Sequence, residues 1–499
     1  MKLLLSIVFY ILLASCSFTQ VEQSNRIEFE LKDNFNNEKI TPLGKHGALL
    51  KAKKTTDGIK TWKYTLYNNK LEELTSQNVV IDKKKVFDES FSNNSKDYTF
   101  YKSSKGAYTI VIFDAETNKL RSLDGTLPKK CWVKDMAVAD NKAYFSAQIK
   151  KQPFLFVIDL KTGIQKPIPV YLKEVKDKKT KLQEFQILEE SEEVILYVKG
   201  YTKTNEYQFQ AIILDNKGLK KQSINLSKGH EKGIVAASMS KKNENTYLAS
   251  GTYSEKNQRV SNGIFFASYS GNKSSFLKFY PYTDLSNFLT YLPEKKQAKI
   301  DRKKARKKKK GKELLLNYYL AQHEIIEVDG GYVLIGEAYY PTYRTESRTT
   351  YVNGQATTTY VTVFDGYQYT HALVAKFDFE GKLLWDKTFE MWPATKPYYV
   401  KCFISIKEYD SRKITMAFTS RSKIYSKEIN AEGVTTNSKS SEKIQLNKES
   451  DKIKWSNANL KFWYDDAFIM YGSQKIKDKE SKKMKKKRMV YFISKFIFE

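Results

Sequence analysis

Residues 143–168, AYFSAQIKKQPFLFVIDLKTGIQKPI, decide the fold of this chain. Two short apolar segments, rich in aromatic and β-branched residues, are separated by a few polar residues, as is typical of paired strands. The second segment ends at Asp159, and Thr162 and Gly163 follow. Asp bonds its own backbone and Gly tolerates positive φ, so this ending is typical of a tight turn. The stretch therefore predicts two antiparallel strands and a turn into a third.

The first of these segments recurs along the chain. Its copies begin at Ala48, Tyr98, Ala143, Val194, Tyr247, Tyr332, Ile414 and Phe468, and five of the seven intervals lie near 50 residues. A second strand with a polar turn follows most copies, as in YTLYNNKLEEL and AIILDNKGLKKQS. One more strand precedes most copies, as in CWVKDMAVA, AQHEIIEV from Ala321 and KCFISIKEY from Lys401. We therefore predict that each unit contains four strands, here called a to d in chain order.

A single four-stranded sheet of this size cannot bury both of its faces, whereas sheets packed around an axis cover one another. We therefore predict an all-β chain whose residues 26–499 form one eight-bladed β-propeller, with seven blades as the alternative. The last unit stops after strand c, and RIEFELK, from Arg26, precedes the first unit. We expect this N-terminal strand to complete the last sheet and close the ring, which removes two exposed edges.

Two long intervals predict insertions: a basic helical insertion at 280–320 and a Tyr/Thr-rich hairpin at 339–370. The first lies between strands d and a, and the second lies between strands b and c. Both kinds of connection open on the same face of a propeller. The Lys-rich run 475–488 is another b–c connection. We therefore expect all three on one face, where loops on a rigid scaffold commonly carry binding functions.

Residues 1–19 have the pattern of a signal peptide. One Lys precedes the thirteen uncharged, mostly apolar residues 3–15, a run too short to span a bilayer. The segment LASC resembles a lipoprotein signal box, with Cys16 as the acylated first residue of the mature protein. Cleavage near Thr19 and Gln20, with a soluble product, is the alternative. We expect no transmembrane helix in the mature chain, and an exported protein that is periplasmic, anchored to the outer membrane or secreted.

The formal charge is +30, and only ten of the 86 basic residues are Arg. Nucleic-acid recognition usually relies on Arg, so this Lys bias disfavours a nucleic-acid partner. Residues 294–310 predict a helix that begins beside Pro293, and twelve Lys or Arg lie between Lys295 and Lys312. The Lys-rich insertions are either solvated or bind an anionic lipid or glycan.

Two units resemble the repeats of quinoprotein-type (PQQ-like) propellers, which combine a strand, a D-x-x-T/G-G-K turn and a Trp that docks between blades. The matching residues are Asp159, Thr162 and Gly163 in one unit and Asp378, Gly381, Lys382 and Trp385 in the other. The resemblance implies the eight-bladed fold. It does not imply the quinone enzyme, because no calcium-ligand set or vicinal Cys pair accompanies it. An exported propeller of this kind also resembles, in fold and anchor, the propeller subunit of the outer-membrane protein assembly machine.

No catalytic or metal-binding motif is apparent in the sequence, so we expect no cofactor and no metal. The four His residues (His46, His230, His323 and His371) match no metal or triad spacing and are expected to be ordinary strand residues. Cys131 and Cys402 begin the strands a of two opposite units, too far apart for a disulfide, and are expected to be free and buried.

The hairpin provides the candidate binding site. A two-residue turn at Asn353-Gly354 would pair Tyr351 with Ala356 and Tyr343 with Phe364. Its aromatic face is expected to lie either on the propeller rim or 280–320 insertion, or on a protein or glycan partner. The candidate residues are Tyr339, Tyr343, Arg344, Arg348, Tyr351, Tyr360, Tyr367, Tyr369 and His371.

The sequence therefore predicts a non-catalytic scaffold that binds a protein partner at the cell envelope. The alternative is a propeller enzyme or glycan-binding protein with a site in the central mouth, near His323, His371 and Tyr339.

Overall fold

The computed structural model describes residues 21–30, 35–57, 59–255, 260–353, 355–407, 412–448, 450–477 and 487–498. The signal-peptide prediction for residues 1–19, including Cys16, lies outside these ranges, as does most of the Lys-rich run 475–488. Within them, no helix is both long and apolar enough to cross a bilayer.

The described strands form eight antiparallel sheets, numbered here along the chain. Sheets 1 to 4 contain β2 (Phe35–Pro42), β3 (Ala48–Thr56), β4 (Ile59–Tyr67) and β5 (Glu73–Ile81); β6 (Lys85–Ser92), β7 (Lys96–Ser103), β8 (Ala107–Asp114) and β9 (Lys119–Thr126); β10 (Cys131–Ala139), β11 (Lys142–Ile149), β12 (Gln152–Asp159) and β13 (Gln165–Pro169); and β14 (Lys181–Leu188), β15 (Glu193–Tyr201), β16 (Tyr207–Leu214) and β17 (Lys220–Asn225).

The remaining sheets follow the same order, except that the first strand of the chain joins the last sheet. Sheets 5 to 8 contain β18 (Gly233–Asn243), β19 (Thr246–Ser254), β20 (Gly263–Ser270) and β21 (Lys273–Pro281); β22 (Tyr319–Gln322), β23 (Ile326–Val328), β24 (Gly331–Val352), β25 (Gln355–Phe377) and β26 (Leu383–Glu390); β27 (Ser405–Ile406), β28 (Lys413–Ser420), β29 (Lys423–Asn430) and β30 (Thr435–Lys443); and β31 (Lys452–Tyr464), β32 (Ala467–Lys477), β33 (Lys487–Phe498) and β1 (Val21–Glu30). The helix α1 (Glu294–Lys308) and four 3₁₀ turns (Gly44–His46, Asp177–Lys179, Glu189–Ser191 and Tyr282–Asp284) complete the described elements.

Each sheet packs against the next through its own apolar cluster. Leu49 and Phe113, for example, join sheets 1 and 2, whereas Leu50 and Trp463 join sheets 1 and 8. Six further clusters join the intervening neighbours. The core is therefore a closed series of interfaces between sheets. This arrangement and the strand order identify a β-propeller, and the predicted all-β propeller class is confirmed.

The predicted closure by an N-terminal strand is also confirmed. β1 pairs antiparallel with β33, with Ile27 opposite Ile493. Glu28 lies between two cations, 2.8 Å from the Arg26 guanidinium and 3.0 Å from Arg488. Because Glu28 and Arg26 are almost fully shielded from solvent, removal of the Glu28 carboxylate would leave the Arg26 guanidinium without its counter-charge at low dielectric.

The two described insertions occupy the predicted connections. The helix α1 lies between β21 and β22, and none of its residues is buried. The hairpin of β24 and β25 has the predicted register, including Tyr351 opposite Ala356 and Tyr343 opposite Phe364. Asn353 has φ +50°, as a type I′ turn requires, and Gly354 lies outside the described residues.

The closing strand provides a test of the ring. The Phe29 ring packs in the interface of sheets 1 and 8, 6.0 Å from the Tyr67 ring. Since this side chain is partly buried, we expect Phe29→Ala to lower the unfolding free energy by about 1.5–3 kcal/mol. Val80, which is 66% exposed on the outer strand of sheet 1, provides the control. Val80→Ala should change the unfolding free energy by less than about 0.5 kcal/mol in the same denaturant titration. Equal effects of the two changes would contradict closure by β1.

Candidate functional site

The first strands of the sheets line two cavities at the centre of the ring. The larger, of about 1200 Å³, is bordered by β14, β18, β22 and their neighbours. The smaller, of about 700 Å³, is bordered by β2, β27 and β31. Lys401 and Cys402 contribute to both walls. The segment 391–404, which joins sheets 6 and 7, therefore separates the two cavities.

Three chemically distinct side chains meet at the wall of the larger cavity. The ligating atoms of His323, Glu337 and Cys402 all lie within 4.8 Å of one another. His323 Nε2 is 2.8 Å from Glu337 Oε1. The Glu337 carboxylate is fully buried and also accepts the backbone amides of Phe403 at 2.8 Å and Ile404 at 2.9 Å. Glu337 thus ties sheet 6 to the segment that enters sheet 7.

These contacts explain why the inner strand of sheet 7 differs from the prediction, and the inner strand of sheet 6 is interrupted beside them. The sequence predicted continuous strands a at Ala321–Val328 and from Lys401. Instead, β22 ends at Gln322 and β23 begins at Ile326, with His323 between them, while β27 contains only Ser405 and Ile406. Phe403 and Ile404 cannot extend β27 through their amides because both amides donate to Glu337. Both interruptions therefore occur at the cluster.

The cysteine predictions are only partly confirmed. Cys131 and Cys402 are free thiols, but Cys131 is partly buried and Cys402 is exposed on the cavity wall, so the prediction of two buried thiols is wrong. Desolvation, followed by the negative charges of Glu337 and Glu184, raises the pKa of the Cys402 thiol. Without a cation beside it, this thiol is protonated at neutral pH.

His371 and Tyr369 do not belong to an open site, which corrects two of the candidate binding residues. His371 is completely buried, and its ring stacks on Tyr291 of the 280–320 insertion with centroids 3.9 Å apart. Tyr369 is also buried, and its hydroxyl donates to the Lys401 carbonyl at 2.5 Å. Burial lowers the pKa of His371 to about 3. His323 instead faces Glu337, so the two histidines have separate surroundings.

Tyr339 and Tyr367 form the inner end of the hairpin. The Tyr339 ring lies 5.3 Å from the Tyr367 ring and 5.5 Å from the Tyr319 ring. Tyr339 also lines the larger cavity. Both side chains are partly buried. Of the nine candidates, these two connect the hairpin with the mouth of the cavity.

The outer part of the hairpin extends into solvent. Tyr351 and Tyr360 are 76% and 75% exposed, and Arg348 is also exposed. Tyr343 is 62% exposed although its ring lies 5.9 Å from that of Phe364. Of the predicted alternatives, packing on the propeller rim or on the 280–320 insertion is therefore wrong for the outer tyrosines.

The segment 391–404 enlarges this surface in a way that sequence reasoning missed. Arg344 pairs with Asp365 at 3.0 Å, and Lys396 pairs with the same carboxylate at 2.9 Å. Gly366 has φ +91°, and a Cβ there would lie 2.8 Å from the Lys396 carbonyl oxygen, so the hairpin base crosses this segment closely. The Tyr398 ring lies 5.9 Å from the Phe364 ring of the hairpin. The aromatic rim surface is defined here as Tyr343, Tyr351, Tyr360 and Tyr398, all exposed.

No protein-family model matches this chain, and no curated protein matches it. Among solved structures, the β-propeller domain of the trilobed protease from Pyrococcus furiosus is 8% identical with a TM-score of 0.36, and the match covers 81% of this chain and 97% of that one. The WD40 domain of SCAP from fission yeast is 8% identical with a TM-score of 0.38, covering 96% and 98%. The polysaccharide lyase Uly1 is 9% identical with a TM-score of 0.37, covering 83% and 90%. Such low similarity carries no functional argument.

The buried His371 predicts a specific pH dependence of stability. Its folded pKa of about 3 lies below the usual 6.5, so the unfolded chain takes up a proton below pH 6.5 while the folded chain does not. This residue should therefore reduce the unfolding free energy by about 1.4 kcal/mol per pH unit as the pH falls from 6 to 4. His371→Phe keeps a ring against Tyr291 and should lack this loss.

Denaturant titrations across this pH range would measure the difference between the wild type and the variant. Val80→Ala is the control because Val80 is exposed and carries no titratable group, and it should leave the pH dependence unchanged. Parallel curves for the wild type and His371→Phe would show that His371 does not titrate in this way.

Proposed function

We propose that this chain is an exported, eight-bladed propeller of the cell envelope that acts as a non-catalytic scaffold, and that a protein partner docks on its aromatic rim surface. The signal-like residues 1–19 support export. The eight sheets and their closed series of interfaces support the blade count. The observation that carries the docking proposal is the exposure of Tyr351 and Tyr360 at the outer part of the hairpin.

Exposed tyrosines on a projecting hairpin leave apolar ring surface in water, and a docked partner would bury that surface. Large aromatic side chains dominate the energy of protein interfaces, and Tyr and Arg are enriched at interface hot spots. The base of this hairpin is held in place by the ion pairs of Arg344 and Lys396 with Asp365. A partner would therefore meet an ordered hairpin. Such a hairpin loses less conformational freedom on binding than a mobile loop would.

The charge of the exposed Arg348 and of the whole chain favours a partner with an acidic surface. Arg344 is already neutralised by Glu346 and Asp365, whereas Arg348 is exposed on the opposite face of the hairpin, within the part that carries Tyr351 and Tyr360. The whole chain carries a formal charge of +30. Electrostatic complementarity favours a partner that presents carboxylates, because opposite potentials speed association and reject like-charged surfaces.

Site-specific photocrosslinking in membranes tests the docking proposal. A photoreactive phenylalanine at position 351 should give a discrete adduct with one envelope protein. The same residue at position 219 is the control, since exposed Leu219 lies in a c–d turn on the opposite face. Adding Arg348→Glu should reduce the adduct at least tenfold, by repelling an acidic partner. No adduct at 351, or the same adducts at 351 and 219, would overturn the proposal.

The membrane anchor is tested separately by intact mass spectrometry of the exported protein. We expect a mature N-terminus at a lipid-modified Cys16, and Cys16→Ser should move the protein from the membrane to the soluble fraction. An unmodified N-terminus near Gln20 would exclude the lipoprotein form and leave the docking proposal intact.

A propeller enzyme or glycan-binding protein remains the second candidate, because Tyr339 and His323 line the larger cavity. Aromatic rings at a cavity mouth can stack on a sugar ring. Binding of envelope glycans that Tyr339→Ala weakens but Tyr351→Ala does not would favour this candidate over the scaffold.

A further inference from the structure

We propose that His323, Glu337 and Cys402 form a binding site for a divalent transition-metal ion, Zn²⁺ above all, whose open coordination position faces the larger cavity. The three ligating atoms lie within 4.8 Å of one another. In tetrahedral zinc sites, ligand distances of 2.0–2.3 Å place neighbouring ligand atoms about 3.3–3.8 Å apart. Small side-chain adjustments therefore bring these atoms to coordination distance.

The donor set indicates the kind of metal. An imidazole nitrogen, a carboxylate oxygen and a sulfur suit Zn²⁺ and similar ions, whereas Ca²⁺ and Mg²⁺ require oxygen ligands. Three protein ligands with a fourth position open to water are typical of zinc sites that bind a further ligand. Cys402 is exposed on the wall of the cavity of about 1200 Å³, which provides both an entry path and room for such a ligand.

The hydrogen bonds of Glu337 leave a place for the ion. Oε2 accepts the Phe403 amide, while Oε1 accepts the Ile404 amide and faces His323 Nε2. A metal ion between Nε2 and Oε1 takes the place of the hydrogen bond that joins these atoms, with the imidazole proton carried on Nδ1, and the two backbone amide bonds remain. The Cys402 thiol exchanges its proton for the metal. Binding therefore releases the thiol proton and gives up one weak hydrogen bond, from Cys402 Sγ to the Gln322 carbonyl at 3.8 Å.

The surroundings hold two of the ligands in position before the ion arrives. The Phe403 and Ile404 amides orient the Glu337 carboxylate, and the His323 backbone amide donates to Ile335 at 3.0 Å. The two amide bonds to the Glu337 carboxylate are hydrogen bonds to a ligating group, which raise metal affinity. Pairing of the inner strand of sheet 7 is displaced here, because the Phe403 and Ile404 amides donate to Glu337 rather than to a neighbouring strand.

Cobalt substitution tests the proposal because Co²⁺ reports both geometry and sulfur ligation. The purified full chain is dialysed against a chelator and titrated with Co²⁺ and, separately, with Zn²⁺. We expect one equivalent of either ion to bind per chain, a thiolate-to-cobalt charge-transfer band in the near ultraviolet, and visible bands of a tetrahedral ion. Zn²⁺ should also slow the reaction of the Cys402 thiol with a disulfide reagent at least tenfold.

Matched serine variants assign the signal to one thiol. Cys402→Ser should lose the charge-transfer band, while Cys131→Ser, which removes the free thiol of sheet 3, should keep the band and the stoichiometry. His323→Gln should weaken Co²⁺ binding at least tenfold. Circular dichroism and thermal unfolding of each apo variant show whether the fold persists; a Cys402→Ser protein with native unfolding and no band supports the site. Absence of stoichiometric binding, or an equal band in Cys402→Ser, would overturn the proposal, whereas the docking of a partner at Tyr351 would be unaffected.

Discussion

The pairing of β1 with β33 holds the ring together, and the other features depend on it. Each sheet buries its faces only against its two neighbours. Loss of β1 from sheet 8 would therefore uncover apolar surface on both sheet 8 and sheet 1. The Arg26–Glu28–Arg488 group, in which Arg26 and Glu28 are shielded from solvent, lies where β1 pairs with β33 and adds charge pairing to the apolar contacts of Ile27 and Phe29. A closed ring keeps the inner strands in place, and with them the walls of both central cavities.

The rigid ring supports two sites of different character. The aromatic rim surface projects from it and is held at its base by Asp365, which bridges Arg344 and Lys396. The cluster of His323, Glu337 and Cys402 lies inward, where Glu337 connects two sheets. The segment 391–404 belongs to both, since Tyr398 contributes to the rim and Cys402 to the cavity wall.

The fold was predictable where local sequence determines local structure. Repeated apolar strands with polar turns indicated the sheets, and the Asn-Gly turn set the hairpin register, because a two-residue turn leaves one pairing for every later residue. The central cluster was not predictable, since His323, Glu337 and Cys402 come from separate strands and segments with no characteristic spacing. The burial of Tyr369 and His371 depends on how an insertion and a neighbouring loop fold over them. No local pattern indicates such contacts.

The pairing of β1 with β33 also determines which part of the fold is completed last during synthesis of the chain. Arg26 bonds with Ser494, a partner 468 residues later in the chain, so the first strand is made long before the strand it must join. Loop closure over such a distance is slow compared with the formation of each sheet from adjacent hairpins. The nascent chain therefore passes through an open arc whose two terminal sheets have uncovered edges. Protection of that arc, by a chaperone or by rapid completion of the chain, is part of what this architecture demands of the cell.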